Sequence, residues 1–241
     1  MLFLAPLVLF TSTFSGIFGM AGGMILMGGL LFFYTPTEAI FIQGTIQFFA
    51  NFQRYYQLRS EVPIRILLFY MIGALPAYFL LRETDYAPTE KVIYIFMTFG
   101  ALIASLQLHL PFSLRQRRVA VLAGLAVSAL QILGITGPIL DILYQDKRLS
   151  RYEVVGIKSG AMSVSHFLKV LFMYQLLGLE HIKSVVSVYE LGFFLVLAFF
   201  GTWLGKYLLG KLNDKNFFKC TSFILILLAV FYLSRAILSG L

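Results

Sequence analysis

Gly19-Met20-Ala21-Gly22-Gly23 breaks an otherwise apolar run from Leu2 to Tyr34. A helix crossing lipid has no structural need for three glycines in five residues, because glycine weakens a helix. A second break, Gly134-Ile135-Thr136-Gly137-Pro138, lies inside the apolar run Val119 to Tyr144. Its proline also removes a helix-interior hydrogen bond. In membrane transporters, paired interruptions placed alike in two halves of a chain point to a substrate site.

Composition sets the surroundings of these breaks. Hydrophobic residues make up 59% of the 241-residue chain and charged residues 12%, far from the soluble range. The expected class is an all-α, polytopic integral membrane protein. No Lys or Arg precedes the first apolar run and no A-x-A-like site follows it, so that run reads as a retained membrane segment. The single cysteine, Cys220, excludes an internal disulfide. A net charge of +8 in such a chain reflects basic cytoplasmic loops, not a nucleic-acid partner.

Eight apolar segments can be drawn, at roughly 2–34, 38–58, 64–82, 91–110, 119–144, 152–177, 184–210 and 217–238. Most have the roughly 20 residues needed to cross a hydrocarbon core. The halves repeat: a constant shift of 115 positions pairs Gly19 with Gly134, Gly22 with Gly137, Glu38 with Glu153 and Phe52 with Phe167. Under the same shift Thr35-x-x-Glu38 falls on Ser150-x-x-Glu153, and both predict capping boxes at helix starts. Gly73-x-x-x-Ala77 is answered by Gly201-x-x-x-Gly205, spacings that let two helix backbones approach closely. Residues 1–112 are the expected first repeat and 113–241 the second, together forming one transmembrane domain.

Counting Lys and Arg tests the topology. If all eight segments cross, the loop charges split eight against nine and carry no orientation signal. If segments 1 and 5 are re-entrant hairpins turning at the glycine breaks, the split becomes thirteen against four, which the positive-inside rule favours. Each half then crosses three times, so the halves are inverted repeats. Two broken but fully crossing helices remain the alternative.

Half-helices starting at Gly22 and Gly137 would aim free amides and a positive dipole end, about half a charge, at each loop. Pro138 suits the first helical position, and Gly137 is the candidate for a positive φ. With inverted halves the two tips meet near the midplane, a geometry suited to a small anion. Close packing is the other use of these glycines.

Segments 2 and 6 carry polar stripes. Gln43, Gln47, Asn51 and Arg54 share one helical face, and their repeat partners are Lys158, Met162, His166 and Lys169, with Ser159, Ser163 and Ser165 nearby. Such groups should look inward, to protein or water. Arg54 and Lys169, toward helix ends, can instead snorkel to the interface. His166 can serve either the site or packing. Asp141 either pairs with a buried cation such as Lys158 or takes up a proton, which makes Asp141 and His166 the candidate coupling groups. Gly156-Ile-Lys-Ser159-Gly160 resembles a hydrolase turn, but His166 lies about 10 Å along the same helix, too far to activate Ser159. Three histidines and one cysteine make no metal set, and no enzyme or cofactor is expected.

Ser15-Gly-Ile-Phe-Gly-Met-Ala-Gly-Gly23, the helix start Thr35 to Ala39, and Gly134-Ile-Thr-Gly-Pro138 resemble the TauE/SafE family of sulfite and organosulfonate exporters, over nearly the whole chain. Glycine is usual in that pattern where this chain has Ala21 and Thr136. The resemblance implies a secondary transporter for a small sulfur-containing anion in a bacterial inner membrane, working by alternating access. An anion channel for the same substrates and a non-transporting membrane protein are the other readings. The expected substrate site comprises Gly19, Ala21, Gly22, Gly23, Gln47, Asn51, Gly134, Thr136, Gly137, Pro138, Lys158, Ser163 and His166. Loop amides would hold the oxyanion, Lys158 and His166 add charge, and Gln47, Asn51 and Ser163 orient it. The expected partners are the anion and the bilayer, with a homodimer left open.

Overall fold

The computed structural model describes residues 4–19, 21–106, 116–143 and 150–239. They form eleven α-helices and two short 3-10 turns, with no strand among the described residues. Helix α1 spans Leu4–Phe18, α2 Ala21–Leu30, α3 Pro36–Gln57, α4 Ile64–Arg82 and α5 Glu90–Ser105. In the second half α6 spans Arg117–Ala129, α7 Thr136–Leu143, α8 Arg151–Leu177, α9 Leu179–Val185, α10 Val188–Leu209 and α11 Asp214–Leu238. The residues of α4, α10 and α11 are long and apolar enough to cross a membrane. Helices α8 and α9, bent by 102° to one another at the left-handed Gly178, together form a fourth candidate span. Helix α3 has the length, at 22 residues, but its polar stripe lowers its hydropathy.

The first glycine break turns the chain back on itself. Gly19 adopts φ +85°, and its amide still donates to the Ser15 carbonyl at 2.8 Å, closing α1 before the turn. A Cβ at Gly22 would collide with the Thr11 carbonyl, and one at Gly29 with Leu7. Helix α2 therefore runs antiparallel along α1 as a hairpin. In the second break the left-handed residue is Gly134, at φ +76°, and not the expected Gly137. The half-helices also begin earlier than expected. α7 starts at Thr136, and Ile135 accepts from the Ile139 amide at 3.1 Å. Pro138 is its third residue, still within the first turn where a missing N–H leaves no bond unmade.

Capping sets the helix starts. Ser150 and Glu153 bond reciprocally at 3.0 and 3.2 Å, and the Thr35 amide donates to Glu38 at 2.9 Å. A third box, Ser187 with Glu190, opens α10.

Packing between the halves is reciprocal. Helix α1 packs on α10 as α6 packs on α4; α2 meets α11 as α7 meets α5; α10 leans on α3 as α4 leans on α8. The equivalent pairs α3 with α8 and α5 with α11 pack on each other. Small residues make the α1–α10 and α4–α6 crossings: a Cβ at Gly16 would lie 2.7 Å from the Gly205 Cα, and Gly73 faces the Val121 backbone. The two small-residue spacings do bring backbones together.

Both self-equivalent pairs are antiparallel. Along α3 and α8, Gln43 meets Lys169 and Arg54 meets Ser159. Along α5 and α11, Glu90 lies 3.6 Å from Arg235 and Ser105 accepts from Ser222. One end of the bundle carries the Glu38–His181 bond and Arg235 stacked on Phe32. The opposite end carries Lys206 donating to Gln57 and Arg151 donating to Leu209.

Candidate functional site

The polar stripes of α3 and α8 face each other at the centre of the bundle, so every stripe residue is buried. Arg54 is 1% exposed and Lys169 0%, so neither snorkels to an interface as their positions near helix ends had allowed. Their depth comes from partners in the other half, α8 covering Arg54 and α3 covering Lys169.

Toward the Glu38–His181 end, the Lys169 Nζ donates to the Gln43 Oε1 at 2.6 Å, and the Gln43 Nε2 donates to the Gly23 carbonyl at 3.3 Å. These groups border a small cavity of about 10 Å³, room for about one water molecule. Both glycine breaks reach it, through Gly23 and Met24 at one and Gly134, Thr136 and Gly137 at the other. Gln43 lines it from α3, and Met162, His166 and Lys169 line it from α8. The Thr136 Oγ1 and both ring nitrogens of His166 have no hydrogen-bond partner among the described residues. Among the described residues the partner of Lys169 is the neutral Gln43, with no carboxylate bonded to it. A buried ammonium, a hydroxyl and an imidazole thus border one cavity, and each of these groups can donate a hydrogen bond.

The opposite end of the stripe is built around Arg54. Its Nη1 donates to the Asn51 Oδ1 at 2.8 Å, the Ser159 Oγ at 3.2 Å and the Gly19 carbonyl at 3.4 Å. Its Nε and Nη2 are buried without a partner among the described residues, as is the Gln47 Nε2. Lys158 approaches here too, its Nζ 3.4 Å from where a Gly19 Cβ would stand.

The expected site residues thus divide. Gly23, Gly134, Thr136, Gly137 and His166 line the cavity, while Gly19, Gln47, Asn51 and Lys158 gather at Arg54. Gly22 packs on α1, buried Ala21 precedes it, and Pro138 packs on Gly100 of α5. The Ser163 hydroxyl donates to the Ser159 carbonyl of its own helix at 2.8 Å. Lys169, Gln43 and Met162, absent from the expected set, line the cavity; the spacing of the two stripes had already aligned them with it. The Asp141 side chain and the loop Asp146-Lys147-Arg148 lie outside the described residues. Ser159 and His166 both belong to the unbroken α8, which leaves the hydrolase resemblance without its turn.

Apolar helices around a buried polar seam define a multi-pass membrane protein whose chemistry faces inward. The chain belongs to the TauE/SafE sulfite exporter family, whose model matches residues 4–232. Membership implies a membrane transporter of sulfur anions. Neither the curated proteins nor the solved structures include a match to it.

Proposed function

We propose that this protein exports a small sulfur oxyanion or sulfonate across a bacterial inner membrane by alternating access between two inverted repeats, residues 1–112 and 113–241. The observation that carries the reading is Lys169: a buried ammonium bonded, among the described residues, to a neutral amide, on the wall of a cavity that both glycine breaks reach. Once the cavity widens to admit it, an oxyanion there would gain a charge-assisted bond from Lys169 and further donors from Thr136 and His166. Uncompensated charge is costly in a bilayer interior, which favours a functional use for it.

Antiparallel packing supports the inversion. Two equivalent helices related by a two-fold axis along the membrane normal would be parallel; an axis in the membrane plane makes them antiparallel, as α3 with α8 and α5 with α11 are. The hairpin formed by α1 and α2 favours re-entrant segments, and with them the thirteen-to-four charge split that puts the Arg59 and Arg65 end in the cytoplasm. A cavity with room for about one water molecule suits an occluded carrier better than an open pore. Asp141 and His166 remain the groups proposed to couple proton movement to anion movement.

Radiolabelled sulfite flux into liposomes containing only this protein tests the reading. Saturable flux whose half-saturation Lys169→Gln raises, with the variant still folded, is the expected result. Flux that never saturates would assign a channel, and none in the wild type would end the proposal for sulfite.

A further inference from the structure

A second buried cation remains after the cavity has taken Lys169. Arg54 is 1% exposed, and none of its hydrogen bonds reaches a carboxylate: its acceptors are an amide oxygen, a hydroxyl and a backbone carbonyl. Two of its three nitrogens donate to nothing among the described residues, and the neighbouring Gln47 Nε2 is equally unpaired. Breaking a buried charge pair is strongly destabilising, so a buried guanidinium kept without a carboxylate calls for another anion. Its planar fork matches an oxyanion through two parallel bonds.

The repeat gives this cluster its meaning. The 115-residue shift carries Arg54 onto Lys169, Asn51 onto His166 and Gln43 onto Lys158. The cross-links are equivalent as well. Lys169 reaches from α8 to Gln43 of α3, and Arg54 reaches from α3 to Ser159 of α8, beside Lys158. Lys169 and His166 face the Gly134 tip, while Arg54 touches the Gly19 tip. One end holds the cavity; at the other, Asn51, Ser159 and the Gly19 carbonyl close around Nη1.

We propose that Arg54 is a second anion station, the repeat-related counterpart of Lys169, opened when the two halves exchange conformations. It takes the same sulfur oxyanion and serves the end of the bundle that carries Arg59 and Arg65. Gln43 and Arg54 are eleven residues apart on α3, so the stations lie about 16 Å apart along the bundle. The anion passes from one cation to the other, and each is exposed to one side of the membrane in turn. This rests on the transport reading above.

Sided kinetics test it. The protein is reconstituted into liposomes as a Cys220→Ser, Lys215→Cys background, and an impermeant thiol reagent reports its orientation. Half-saturating sulfite is then measured separately from each face. Arg54→Gln and Arg54→Lys should raise it at least tenfold on the Arg59 face and leave the other face within twofold. Lys169→Gln should do the reverse. An equal rise on both faces, or a lower maximal rate with both half-saturation values unchanged, would overturn the second station while leaving transport intact. Failure of both Arg54 variants to fold would assign the guanidinium to the scaffold and overturn it too. Absence of wild-type flux would instead remove the transport reading on which it stands.

Discussion

Replacing Lys169 by Met should make the protein more stable and less able to hold its anion, and the two effects can be separated. The ammonium is fully buried, and its one partner among the described residues is the Gln43 Oε1 at 2.6 Å. Removing the charge relieves a desolvation cost of several kcal/mol. Leaving the Gln43 oxygen without its donor costs about 1–3 kcal/mol. The first term is larger, so a net gain of roughly 2 kcal/mol is expected, about 4–8 °C in Tm for a chain of this length. The bond to the anion contributes about 1.5–3 kcal/mol, so its loss should weaken binding roughly 10- to 150-fold. Thermal unfolding in detergent, with and without sulfite, reads both. At a hundredfold excess over Kd, wild-type protein gains about 2.7 kcal/mol; at the same sulfite concentration the variant should gain only about 0.3–1.4 kcal/mol. A variant that melts below the wild type without sulfite, yet keeps the full sulfite-induced shift, would refute the assignment of Lys169 as an anion-binding cation.

Thr136→Val should leave the fold intact, because the hydroxyl bonds to nothing among the described residues, and should weaken sulfite binding by about two- to tenfold in a titration. Gly22→Val should prevent the α1–α2 hairpin from closing on Thr11, so little folded protein should survive size-exclusion chromatography; normal yield would mean that the hairpin yields more easily than its packing implies. Single cysteines at exposed Glu61 and Lys215, in a Cys220→Ser background, should resist an impermeant thiol reagent in intact cells, whereas exposed Glu83 and Lys183 positions should label. Labelling on the opposite pattern would reverse the orientation. If Asp141 and His166 couple protons to the anion, Asp141→Asn and His166→Gln should each remove the stimulation of flux by a pH gradient; wild-type flux indifferent to the gradient would exclude coupling.

Local chemistry was the legible part of this chain. The glycine breaks, the capping boxes at Thr35 and Ser150, and the small-residue spacings at Gly73 and Gly201 each act over a few residues, so spacing alone carried them. The shared face of Gln43, Gln47, Asn51 and Arg54 was equally open to reading, since helical periodicity fixes it. Depth was not. Whether Arg54 and Lys169 reach water depends on which helix of the other half lies over them, and no local pattern states that. The division of one expected site into two clusters had the same cause, the antiparallel crossing of α3 and α8. At the second tip, Gly134 takes the left-handed turn, so α7 begins before Gly137 and Pro138 turns to α5.

The reciprocal grip of each hairpin on the other half has a consequence for biosynthesis. The α1–α2 hairpin leaves the ribosome well before the helix that covers its small-residue face, α10, which begins at Val188. At about 5–20 residues per second, that partner arrives roughly 10–40 s later. Through that interval Ser12, Gly16 and the free end of the hairpin must be sheltered by the insertion machinery or by lipid. Helix α6 has no such wait, because α4 is already made when it emerges. Assembly is therefore asymmetric in time although its product is nearly symmetric in space, and truncations before α10 should be cleared by membrane proteases with the first hairpin as the exposed signal.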